Sequence, residues 1–209
     1  MKHGWLRQML RGGLLSLFLC ALLLASCQAA EKNVFYVYDE IKNPQYVWYP
    51  SGWMPDGGGI SFTDSFTENC HSGNNCMKIG FDARKKDWVG IYWLPEPGKW
   101  KGPGINVYNQ LKVKEKPPVK LTFWAKGDKG GERVQFKVGG VADGKDSIAF
   151  PVELDYLTLE KDWKQYDIDL SKEDLSNVVG GFCWATNKEQ NFGQNVIWFY
   201  LDDIRYEVK

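Results

Sequence analysis

The 209-residue chain has little histidine: only His3 and His71. That scarcity excludes a metal centre built on clustered imidazoles, and it leaves a Ser-His-Asp triad only His71 to use. His71 lies between Cys70 and Cys76 in a short polar loop, a poor mount for a rigid general base, and reads as a surface loop residue. Positive charge is not in excess, with 26 Lys plus Arg against 26 Asp plus Glu. No basic patch stands out, which argues against nucleic acid as a partner. No stretch keeps a long helical period, which argues against a helical bundle. The one long apolar run, residues 14–24, is too short to span a bilayer as a permanent helix.

What surrounds that run is informative. Lys2, Arg7 and Arg11 precede it, and Leu24-Ala25-Ser26-Cys27 follows. The arrangement resembles the lipobox of bacterial lipoproteins. The resemblance implies that residues 1–26 are a signal peptide and that Cys27 carries a diacylglycerol. Residues 27–34 then form a lipidated cysteine and short linker, and residues 35–209 a domain held outside the cytoplasm at the cell envelope. Each buried methylene of the anchor contributes about 0.8 kcal/mol. Gln28 replaces the Asp that retains some lipoproteins in an inner membrane, which favours the outer membrane. The alternative is an ordinary signal peptide cut after Ala29 or Ala30. Cleavage before Cys27 removes three basic residues and no acidic one, so 23 basic face 26 acidic groups, a net charge of −3.

Five cysteines agree with that address. Cys20 leaves with the leader. Cys70 and Cys76 flank a short polar loop and are expected to pair outside the cytoplasm, two free thiols being the alternative. Cys183 sits in an apolar run and reads as a buried, inert thiol.

The remaining pattern is one of strands separated by Gly, Pro, Asn and Asp clusters. Strands are predicted over 35–38, 59–66, 76–81, 88–94, 120–126, 132–138, 163–169, 178–186 and 196–206. Residues 171–175 suggest one helical turn capped by Ser171. The spacing predicts an all-β sandwich or jelly roll. In residues 133–138, Val134, Phe136 and Val138 alternate with Arg133, Gln135 and Lys137, so the first set faces the core and the second faces away. In residues 121–126, Leu121, Phe123 and Ala125 are core-like. Trp124 shares the outer face with Thr122 and Lys126. For 88–94, alternation pairs Trp88 with Tyr92 and Ile91 with Trp93, and either set reads as core.

Residues 121–127, 162–170 and 199–206, preceded by 71–79, resemble the galactose-binding-like jelly-roll domains that include many bacterial carbohydrate-binding modules. The resemblance implies a jelly-roll β-sandwich that binds a polysaccharide or oligosaccharide. It also implies one structural calcium, with ligands at Asp39 or Glu40, the backbone of 72–75, and Asp202. A hard cation of that kind wants six to eight oxygens.

A sugar needs aromatic planes for its C–H faces and polar groups for its hydroxyls. Trp53, Trp93, Trp124 and Trp184 are the candidate planes, with Trp88, Tyr92 and Trp100 as further aromatics. Gln135 and Lys137, with Arg133, Asp56 and Asn187, are candidate hydroxyl partners. Trp163 and Trp198 read as packing residues. The expected function is therefore non-catalytic glycan binding by a lipid-anchored protein.

Two alternatives stand beside it. One is an assembly lipoprotein that contacts another envelope protein. The other is a jelly-roll glycosidase or lyase, because residues 153–160 resemble the catalytic strand of laminarinase-type β-glucanases. There the match fails at the second glutamate, where Leu157 or Thr158 stands, and Glu160 falls on the opposite strand face from Glu153.

Overall fold

The computed structural model describes residues 33–40, 45–141 and 145–209. The expected signal peptide, Cys27 and the expected linker up to residue 32 lie outside the described residues. The strands are β1 (Val34–Tyr38), β2 (Tyr49–Met54), β3 (Ile60–Phe66), β4 (Cys76–Asp82) and β5 (Trp88–Leu94). A one-turn helix α1 (Val107–Gln110) precedes β6 (Val119–Gly127) and β7 (Arg133–Val138). Then come β8 (Val152–Glu153), β9 (Leu157–Thr158), β10 (Lys164–Asp169), β11 (Phe182–Asn187) and β12 (Val196–Val208).

They form two antiparallel sheets. The first has the order β10-β6-β12-β4-β3, with β1 also paired to β12. The second has the order β2-β5-β11-β7-β8, with β9 also paired to β7. The fold is an all-β jelly-roll sandwich, as the strand spacing predicts.

Strict alternation identified faces correctly. Val134, Phe136 and Val138 meet Leu121, Phe123 and Ala125 in the inter-sheet core. Phe123 and Phe136 lie 4.5 Å apart across it, and Phe182 joins both. In β5 the core takes Val89, Ile91 and Trp93, which sends Trp88 and Tyr92 outward.

Several expectations need correction. Trp93 and Trp184 are 1 % and 0 % exposed, sealed between the sheets, so neither ring can meet a sugar. β2 is not among the strands predicted above. It is an edge strand, where a proline is tolerated. Residues 171–175 are not helical. The Asp169 carboxylate accepts both the N–H and the hydroxyl of Ser171 and turns the chain there. The helix lies instead at 107–110, where the Asn106 side chain accepts from the Asn109 N–H. Trp163 and Trp198 do pack, but outside the inter-sheet core: Trp163 against Tyr200 and Trp198 over Gly80.

Candidate functional site

The outer face of the second sheet can be laid out from register alone. Gly52, Tyr92, Cys183, Lys137 and Glu153 form one cross-strand row. Met54, Gly90, Ala185 and Gln135 form the next. Trp88 and Asn187 form the third. The middle row is short at Gly90 and Ala185, and the Met54 methyl packs over Gly90, 2.8 Å from where a Cβ would stand. From the register, Gly90 and Ala185 lie between rows of larger side chains and outline a shallow trough.

One end of that trough is roofed. Tyr92, Leu94, Val141, Val179 and Cys183 form a second, smaller apolar cluster with Met54 against it. The Tyr92 hydroxyl donates to the Gly139 carbonyl at 3.1 Å. Trp100 stands edge-on to Tyr92, 5.6 Å away, in the space that Gly52 leaves. The other end is open. Trp88 is 45 % and Phe192 92 % exposed, and they line a hollow of about 480 Å³ with Asn187.

Polar groups occupy the wall opposite β5. Lys137 pairs with Glu153 at 3.1 Å. Asn187 donates to the Tyr156 hydroxyl at 2.8 Å, and an Arg133 guanidinium nitrogen donates to the Tyr156 carbonyl at 3.3 Å. Arg133 Nε is buried without a partner, and Gln135 makes no side-chain hydrogen bond among the described residues. A buried donor without an acceptor costs about 1–3 kcal/mol, so this wall is unsatisfied as it stands.

The residues expected to bind sugar are therefore not brought together. Gln135 and Lys137 lie side by side on the second sheet. Trp124 is on β6 in the first sheet, paired with Gln165 and Asp202. It faces outward as expected, but on the opposite side of the sandwich. Trp53 sits at the β2 edge, partly exposed, with its ring 5.8 Å from Phe62. Asp56 is held by Lys86 at 2.6 Å. Tyr156 was missed, because it lies between two strands of only two residues each.

The loop closed by the Cys70–Cys76 disulfide is a second centre. Asp202, fully buried, accepts the His71 and Ser72 N–H groups at 3.0 and 3.1 Å. Burial pushes its carboxyl up to about 6. Glu40 accepts from the Asn74 N–H and from Asn75 Nδ2. The Asp39 carboxylate instead takes the Tyr46 hydroxyl. His71 is not a free surface residue. It is half-buried, its Nδ1 2.8 Å from Asp203. Ser72 donates its hydroxyl to the same aspartate and not to the imidazole, so no triad forms.

The fold is that of carbohydrate-binding modules. A family 30 carbohydrate-binding module superimposes with a TM-score of 0.57 at 13% identity, covering 84% of this chain and 88% of that one. The family 30 module of a cellulosomal cellulase of Clostridium thermocellum gives 0.54 at 12% identity, covering 84% and 98%. The family 11 module of another cellulosomal cellulase of that organism gives 0.52 at 14% identity, covering 84% and 95%. No family model and no curated protein sequence matches the chain.

Proposed function

We propose that the trough on the second sheet binds a glycan chain without transforming it. The observation that carries this reading is the unsatisfied wall. Gln135, in the row of Gly90 and Ala185, makes no side-chain hydrogen bond among the described residues, the Arg133 Nε is buried without a partner, and the exposed Trp88 ring lies on the same strand face as Gly90. An open trough suits a chain passing along it. Trp88 supplies the aromatic plane, while Gln135, Arg133 and the Lys137–Glu153 pair supply hydroxyl partners. The solved modules of the same fold add support. The exposed Trp88 ring beside polar groups favours this reading over an assembly role.

The carboxylates support binding over hydrolysis. Glu153 is engaged by Lys137 on the second sheet, and Glu160 by Lys164 on β10 of the first. A glycosidase needs its two carboxyl groups across one scissile bond. The domain is placed by the same proposal at the cell envelope, outside the cytoplasm, anchored through Cys27, with the outer membrane preferred.

One structural calcium belongs to the proposal. The donor set fits a hard cation: Asp202 is buried without a cationic partner among the described residues, and Glu40 reaches the same loop. Asp202, Glu40 and carbonyls of 72–75 would hold it. Asp39 does not fit, being engaged by Tyr46. Bound calcium would neutralise the carboxylates and tie β1, the loop and β12 together.

The test is isothermal titration of the intact chain with neutral and acidic polysaccharides. Trp88→Ala and Gln135→Ala should each weaken the interaction by about tenfold, or about 1.4 kcal/mol, with little change in unfolding. Unaltered affinity in both variants overturns the assignment of this trough.

A further inference from the structure

The opposite side of the sandwich carries a second hollow, of about 290 Å³, at the small end of ligand pockets. Lys126 on β6 and Tyr200 on β12 are register partners in it, and both lie outside the inter-sheet core. Lys126 is only 8 % exposed. Its ammonium lies 4.7 Å from the Tyr200 ring centre and 5.3 Å from that of Trp163. It forms no hydrogen bond or salt bridge among the described residues. An ammonium has three donors, and here no protein acceptor takes any of them, so they are left to solvent or to a ligand in the hollow. Desolvation lowers its pKa, while Asp128 and Asp162 pull in the other direction.

The hollow is built by the fold and is not a gap between mobile side chains. The Phe66 ring packs 5.5 Å from Tyr200 and forms an apolar wall. The Tyr200 hydroxyl donates to Asp128 at 2.9 Å. Trp163 Nε1 donates to the Asn69 carbonyl at 2.9 Å, and the disulfide at Cys70 follows at once. The wall carrying Glu68 and Asn69 is therefore pinned at two points.

We propose that this hollow is a second saccharide site, taking one uncharged sugar ring on the face opposite the trough. Lys126 donates to a ring hydroxyl. The carboxylates of Glu68 and Asp162 accept from others, and Phe66 and Tyr200 cover C–H faces. Two lysines, Lys126 and Lys161, meet three carboxylates, Glu68, Asp128 and Asp162, in the lining. A third lysine, Lys78, lies 4.4 Å from the Phe66 ring centre, so the hollow carries no net positive charge to recruit uronates or sulfated sugars. With sites on opposite faces, one chain can hold two glycan strands, which raises avidity without new contacts. Nothing in this site depends on Gln135 or Trp88.

The test is lysine footprinting of the intact chain with limiting acetic anhydride, read by mass spectrometry. The probes are saturating cellotetraose, laminaritetraose, xylotetraose and agarotetraose, with tetragalacturonate as the charged control. At least one neutral probe should slow acetylation of Lys126 about fivefold, or about 1 kcal/mol, and leave the exposed Lys114 unchanged. That protection should survive Gln135→Ala, whatever becomes of the trough, and fall in Glu68→Ala, an exposed rim position whose loss leaves the core intact. Three results overturn the proposal: no protection by any neutral probe, equal protection by tetragalacturonate, or loss of protection in Gln135→Ala.

Discussion

The His71 imidazole lies flat against the Trp124 indole, with ring centroids 3.7 Å apart and planes 17° from parallel. The tryptophan is thus covered by the disulfide loop and held by Asp203 through His71. Its work is to seat the loop on the first sheet. Trp124→Ala should therefore destabilise the protein by about 2 kcal/mol, from lost ring contact and partial burial. Glycan affinity at the trough should not change, because Gln135 belongs to the other sheet. Urea unfolding and titration on the same sample decide this. Weakened binding with unchanged stability would return Trp124 to the sugar site.

Cys183 tests the roof over the trough. It is fully buried among Tyr92, Leu94, Val141 and Val179, and burial pushes its thiol well above the ordinary range. The thiolate is the reactive form, so both access and ionisation protect it. Iodoacetamide should label it at least about a thousandfold more slowly in the native chain than in urea, in step with a global opening free energy. Labelling at a rate near that of the unfolded chain would mean that residues 139–141 and 178–181 leave the trough open.

Faces were legible in the sequence, and sheets were not. Alternation placed Trp124 and Gln135 on outward faces, because a period of two separates the sides of a strand. Which sheet a strand joins depends on long-range pairing. Here β6 pairs with β12 and β10, while β7 pairs with β11, and no local signal carries that difference. In β5 almost every residue is apolar, since the roof buries its outer face as well as its inner one. Trp93 was indistinguishable from an exposed ring for that reason. The Cys70–Cys76 pairing was legible because the loop between them is short and polar. The polar wall was partly legible, through Arg133, Gln135, Lys137 and Asn187, but Tyr156 had no strand pattern around it.

Asp146 supplies a pH dependence. Buried under the roof, it accepts N–H groups from Val141, Ile148 and Gly180, yet desolvation still raises its pKa. A carboxyl whose folded pKa lies above its unfolded value, about 3.9, favours the protonated fold. Its contribution is full below the unfolded value and is lost as pH rises through the folded one. Asp146→Asn removes that loss. The stability of the variant relative to the parent should rise from pH 4 to pH 7, measured as a difference in urea midpoints. A difference independent of pH would show that the three N–H donors fully offset the burial.

Metal removal tests the disulfide-loop centre. Asp202 on β12 and Glu40 after β1 converge on one loop, and no cationic side chain neutralises Asp202 among the described residues. A cation bound there stabilises only the folded state. At a hundredfold excess over its dissociation constant, that linkage is worth about 2.7 kcal/mol. For a domain of this size it corresponds to a melting shift of about 5–10 °C. EDTA should lower the midpoint by that amount, and added calcium should restore it. Asp202→Asn should melt at one temperature in both buffers. Magnesium should restore less, because a loop of carbonyls and carboxylates suits a larger, irregular oxygen shell better than a strict octahedron. Equal melting of the parent in EDTA and in calcium would remove the ion. Asp202 would then be held by its N–H donors alone.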